Sequence, residues 1–268
     1  MTWIDTHAHL DAAAFDGRRD ALRQRAREAG VRAVVIPSVS PSNFAAVRAL
    51  AHRDGHVYAL GVHPLYVNGL GESALEQLRA TVREALGDPR FVAIGEIGLD
   101  HFVAGVDRAH QAWWCDQQLR LAREHALPVL LHVRRAQDPL AAALRRAGWA
   151  GHGCGGIAHA FNGSRQQADA FLALGLRLGF GGAMTFERAR NIRRLAAALP
   201  EDALVLETDA PDLAPAWREA GPNEPAEVAG IGATLACLRG VDPARIAACT
   251  NANARAALPR LAAWLDGS

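Results

Sequence analysis

Eight short apolar runs, spaced along the whole chain, constrain its fold more than any other feature: Trp3 to His7, Ala33 to Val39, Val57 to His63, Phe91 to Ile97, Pro128 to Val133, Gly156 to Ala160, Leu176 to Phe180 and Ala203 to Thr208. Their apolar character is continuous rather than alternating. That is the pattern of strands buried on both faces, as in a parallel sheet covered by helices. Amphipathic stretches with helix punctuation lie between them. Ser40-Pro41 stands before Asn43 to Leu50, Ser164 with Gln167 resembles a capping box, and Gly30, Gly148 and Gly175 suit helix ends. Arg18 to Arg27 interleaves charge with Ala and Leu, as the polar face of a helix does. Eight such alternations in 268 residues predict a (β/α)8 TIM barrel, one domain over residues 1–268. An open doubly wound sheet is the alternative, and the helical material after Pro225 is expected outside the barrel.

A net charge of +1 provides no global field for nucleic acid, so any such substrate must be gripped locally. No lysine is present, which removes Schiff-base chemistry and any lysine-derived metal bridge. Cys115, Cys154, Cys237 and Cys249 are widely spaced and read as reduced thiols rather than a zinc knuckle or disulfide framework. The first strand follows Met1 directly, and no apolar run reaches about 18 residues, so the chain reads as cytoplasmic, without a membrane partner.

Residues able to bind metal recur at the ends of the apolar runs. In a strand, i and i+2 face one way, so Asp5, His7 and His9 are expected to share a site. His63, Glu96, His132, His159 and Asp209 stand at the ends of later runs. In a barrel the carboxyl ends of all strands converge on one face, where active sites of this fold sit. His7, His9, His132 and His159 with Glu96 and Asp209, and His63 in reserve, suit two divalent cations bridged by one carboxylate. Zn²⁺, Mn²⁺ and Mg²⁺ are all compatible.

The segments Ile4-Asp5-Thr6-His7-Ala8-His9, Gly61-Val62-His63-Pro64, Gly95-Glu96-Ile97-Gly98-Leu99-Asp100, His132-Val133-Arg134, His159-Ala160-Phe161-Asn162-Gly163-Ser164 and Glu207-Thr208-Asp209-Ala210-Pro211 resemble the TatD family of metal-dependent hydrolases, within the amidohydrolase superfamily. The resemblance runs in order over essentially the full chain. It implies a (β/α)8 barrel with a divalent-metal centre and deoxyribonuclease activity, often 3′ to 5′ exonucleolytic, on DNA or another phosphodiester substrate. It also implies that His7, His9, Glu96 and Asp209 hold one metal, with Glu96 bridging to a second held by His132 and His159. Many relatives in the superfamily bridge with a carboxylated lysine; here that role passes to Glu96. Two departures stand out. Arg218 is displaced from the usual arginine spacing in the loop before Asn223-Glu224-Pro225, and His101-Phe102 stands where a tyrosine commonly follows the Leu-Asp pair.

The expected chemistry is attack of a metal-activated water on a phosphodiester, with Asp209 and Glu96 as catalytic residues. Asp209 orients the water or accepts its proton. Arg134, two residues beyond His132, either grips phosphate or makes a surface salt bridge. His63 either binds phosphate or protonates the leaving oxygen, or else caps a helix or serves in the core. Trp217 either stacks on a base or packs its loop. His52, His56, His101, His110, His125 and His152 read as structural or solvent-facing. The chain is expected to be a monomer. The alternatives are hydrolysis of an amide or ester, such as a cyclic amide or aminoacyl ester, and a non-catalytic binding protein on the same fold.

Overall fold

The computed structural model describes residues 1–150 and 153–267; His152 lies outside them. Eight parallel strands follow one another in sequence order around a single sheet: β1 (Trp3–Asp5), β2 (Val31–Pro37), β3 (Val57–Leu60), β4 (Phe91–Asp100), β5 (Val129–Arg134), β6 (Gly156–Ala158), β7 (Arg177–Phe180) and β8 (Leu204–Leu206). Helices α1 (Arg19–Glu28), α2 (Phe44–Asp54), α3 (Glu72–Ala85), α4 (Arg108–Glu124), α5 (Gln137–Arg146), α6 (Arg165–Ala173), α7 (Arg190–Ala198) and α8 (Val228–Arg239) alternate with them, and α9 (Pro243–Ala257) and α10 (Pro259–Asp266) follow. The architecture is the (β/α)8 barrel.

The apolar runs are continuous because both strand faces are buried. In β2, Ala33 and Val35 join the inner cluster with Ile4, Val57, Leu130, Ile157 and Val205, whereas Val34 and Ile36 pack against the helical layer. The inner cluster also contains Ala254, Ala257, Leu258 and Leu261. The expectation that everything after Pro225 lies outside is therefore corrected. The α9–α10 junction plugs the amino-terminal mouth of the barrel, because otherwise the inner side chains there would meet water. Arg260 secures the plug, donating to the backbone oxygens of Phe91 (2.5 Å), Leu86 (2.9 Å) and Asp88 (2.8 Å).

Several strands end differently from the apolar runs. β1 stops at Asp5, leaving His7 and His9 in an extended tail, and β3 stops at Leu60, short of His63. β4 instead continues to Asp100, so Glu96 lies within it rather than at its end. The β4–β5 register shifts between Ile94 and Ile97, and the Glu96 amide turns to the Ser38 carbonyl at 3.0 Å. The barrel closes beyond its terminal strands, where Ala8 bridges Ala210 and the Asp209 amide donates to the His7 carbonyl at 2.8 Å. Closure and site construction thus share the same residues.

The local signals largely hold. Ser164 and Gln167 form a capping box on α6. Gly30, Gly148 and Gly175 all have positive φ. After Ser40 a 3-10 turn over Pro41–Asn43 comes first and α2 starts at Phe44. None of the four cysteines forms a disulfide. Among the described residues no helix is long and apolar enough to cross a membrane.

Candidate metal centre

Glu96 is the hub of the carboxyl-terminal face. Its Oε2 lies 3.1 Å from His7 Nε2 and 3.3 Å from His9 Nε2, while its Oε1 lies 3.0 Å from His132 Nδ1, 2.9 Å from His159 Nε2 and 3.4 Å from His63 Nε2. Asp209 approaches from β8, with Oδ1 3.7 Å from both His7 Nε2 and His9 Nε2. Every residue expected at the site except Arg134 and Asp5 therefore has an atom in this cluster. Among the described residues, three groups bring ligand atoms within 4.8 Å of one another and could hold a cation: His7, His9 and Glu96; His7, His159 and Asp209; and His63, Glu96 and His132.

The donor chemistry fits a divalent cation. His7 Nε2 and His9 Nε2 converge to 3.3 Å, and His132 Nδ1 and His159 Nε2 to 3.2 Å. Two imidazole lone pairs so close repel unless a proton or a cation lies between them. In the metal-free protein protons serve. Burial opposes a charge on His159 and His9, but Glu96 overrides it and raises them to about 10 and about 9. His7 stacks on His159 with centroids 4.0 Å apart; burial and that neighbouring charge push it down to about 3. Burial likewise opposes ionisation of Glu96, yet His63, His159, His7 and His132 outweigh it and hold its carboxyl well below the usual range. Asp209 is raised by burial despite His159 and His9.

Residues around the cluster fix its geometry. Asp100, buried at the end of β4, accepts from His132 Nε2 through Oδ2 (3.1 Å) and from the Phe102 and Val103 amides through Oδ1 (2.7 and 2.9 Å). Because the carboxylate demands a proton on Nε2, His132 presents the Nδ1 lone pair to the cluster. His63 Nδ1 accepts from the Leu65 amide at 3.1 Å, so its Nε2 carries the hydrogen and points inward as a donor. Its helix-capping reading is realised, and the other ring nitrogen faces Glu96 at 3.4 Å.

Asp5 corrects the expectation drawn from its spacing. Its carboxylate turns away to the His7 amide (3.2 Å), the Thr208 amide (3.0 Å) and Thr208 Oγ1 (2.6 Å), bracing the β1 end against the β8 end. Burial raises it to about 7. Glu207 was not singled out by spacing; the Glu-Thr-Asp motif that contains it was the available signal. It is fully buried, accepts from the Ala160 amide and is raised by burial to about 8. Gly179 makes room for it, since a Cβ there would stand 2.1 Å from Glu207 Oε2.

Arg134 lies at the rim, exposed, and makes no salt bridge among the described residues; instead it stacks on Phe102. Trp217 packs its loop: Nε1 donates to Glu227 Oε2 at 2.7 Å and the ring covers Gly230. Arg218 is tied to Glu224 and Glu227 at 3.1 and 2.6 Å. The remaining described histidines stand apart from the cluster; His52 pairs with Asp88, and His110 meets the Val67 and Leu70 carbonyls.

Known proteins resemble the chain over nearly its whole length. The profile of the TatD-related DNase family matches residues 4–259. The chain is 41% identical to the uncharacterized metal-dependent hydrolase YjjV of Escherichia coli over 88% of this chain and 90% of that one. It is 36% identical to the 3′-5′ ssDNA/RNA exonuclease TatD of Erwinia tasmaniensis over 94% and 98% of the two chains. The crystal structure of YjjV superimposes with a TM-score of 0.89 at 39% identity, covering 96% of this chain and 98% of that one. Fold and relatives together define a metal-dependent hydrolase on a (β/α)8 barrel. The chain belongs to the TatD family.

Proposed function

We propose that this chain is a divalent-metal-dependent phosphodiesterase that removes nucleotides from the 3′ end of DNA. One observation carries the reading: the two oxygens of buried Glu96 face separate imidazole groups, Oε2 toward His7 and His9 and Oε1 toward His132 and His159. On this reading His7, His9, Glu96 and Asp209 hold one cation, and Glu96, His132 and His159 hold the second. Zn²⁺, Mn²⁺ and Mg²⁺ suit such a donor set. Bound there, such cations lower the pKa of water and offset charge on a phosphoryl oxygen.

The side chains of His9, His132 and Asp209 are 18, 15 and 13% exposed, whereas those of His7 and Glu96 are closed off, so substrate enters over the first three. Asp209 accepts the proton of the attacking water. His63 holds a phosphoryl oxygen through Nε2–H. The name of the Erwinia relative supports a nucleic-acid substrate.

The test is metal analysis of purified protein coupled to hydrolysis of 5′-labelled single-stranded DNA and of simple esters and amides. A chelator-sensitive ladder shortening from the 3′ end is expected, with Asp209→Asn slower by about 10²–10⁴-fold. Metal-dependent cleavage confined to amides, with DNA untouched, overturns the reading.

A further inference from the structure

The mouth of the site carries a group of residues that the metal cluster does not use. The loop after β4 lifts Phe102 to 46% exposure, and Arg134 and Arg135 at the end of β5 stack their guanidinium groups on its ring, Cζ 3.8 and 4.5 Å from the centroid. Neither arginine has a carboxylate partner among the described residues, unlike Arg25, Arg53 and Arg218. An arginine held by a carboxylate has its charge offset. Held by an aromatic ring, it is oriented through its face while its in-plane N–H donors stay free. Two uncompensated cations beside one ring repel each other, and a bound anion relieves that repulsion.

Their position relative to the cluster is fixed. Arg134 is two residues beyond His132 on the same strand, a rise of about 7 Å. The Phe102 loop is locked to His132 because one carboxylate, that of Asp100, binds both. Arg135 has φ 53°, a conformation that side chains other than glycine rarely adopt.

We propose that Phe102, Arg134 and Arg135 form a second phosphate subsite, which grips the backbone phosphate next to the one hydrolysed. This rests on the phosphodiesterase reading and deepens it. A substrate using both places carries successive phosphates, so the site favours a single-stranded polynucleotide over a small ester and is indifferent to base identity.

Equilibrium binding of fluorescein-labelled ten-nucleotide oligothymidylate and oligouridylate, phosphorothioate-linked to resist cleavage, to the metal-loaded protein tests the subsite; the two oligomers distinguish DNA from RNA as its source. Arg135→Met and Phe102→Leu, each with an unchanged thermal midpoint, should weaken binding on the order of tenfold, and Arg135→Met should lower the salt slope by about one. Arg146→Met, at the far end of α5, should bind as wild type. Wild-type affinity in both rim variants, an equal loss in Arg146→Met, or no oligonucleotide binding by wild type overturns the subsite. Separately, wild-type protein reconstituted with metal should hydrolyse bis(p-nitrophenyl) phosphate. If it cleaves neither this nor DNA while binding still depends on Arg135, the hydrolytic reading fails and the subsite stands.

Discussion

At the scale of single residues, Glu96 decides whether the cluster can exist. Among the described residues it is the buried anion that meets five imidazoles, so Glu96→Gln removes the counter-charge they share and leaves only the more peripheral Asp209 and Asp100. Metal content measured by plasma mass spectrometry should fall to background in that variant. Asp100 acts through His132: Asp100→Asn keeps an acceptor but loses the charge, and metal affinity measured against a chelating dye should drop about 10–100-fold. Metal uptake should also depend on pH with a definite sign. His9 and His159, raised to about 9 and about 10, are protonated at neutral pH in the metal-free protein and must lose those protons to ligate. Cation affinity therefore rises with pH, and calorimetry in buffers of different ionisation enthalpy should show release of about two protons per molecule. The identities of His7, His9, Glu96, His132, His159 and Asp209 were legible from their places at the ends of apolar runs. The direction of the Asp5 carboxylate was not, because the strand ends before His7 and the alternation rule ends with it.

At the scale of elements, the strands were legible and their ends were not. Continuous Val, Ile and Ala runs report burial on both faces, but hydrogen-bond registers shift between Ile94 and Ile97 without any change in hydrophobicity. That shift turns Glu96 inward. Close approach of neighbouring strands is likewise invisible in a pattern of apolar residues. Gly179 on β7 exemplifies it: Gly179→Ala drives a methyl into the buried Glu207 carboxylate from β8. The expected cost is about 1–3 kcal/mol, read as a fall in the thermal midpoint of about 2–4 °C per kcal/mol. An unchanged midpoint would mean that Glu207 moves freely, contrary to its packing.

At the scale of the whole molecule, the barrel separates stability from chemistry. The α9–α10 plug at the amino-terminal mouth and the metal cluster at the other share only the strands between them. Leu261→Ala, fully buried against the inner cluster, should cost about 2–5 kcal/mol in urea unfolding while metal stoichiometry stays that of wild type. By itself the sequence determined the α/β class and the list of metal-binding candidates, because eight strand–helix alternations in this length favour a barrel over an open sheet and a barrel gathers its strand ends on one face. Only the tertiary structure decided which atoms of those residues meet. It turned Asp5 into a brace, brought His63 onto Glu96 while also capping a turn, recruited Asp100 and Glu207, and laid two arginines on Phe102. Those outcomes depend on register, ring tautomer and side-chain direction, which are settled by contacts between residues far apart in the chain.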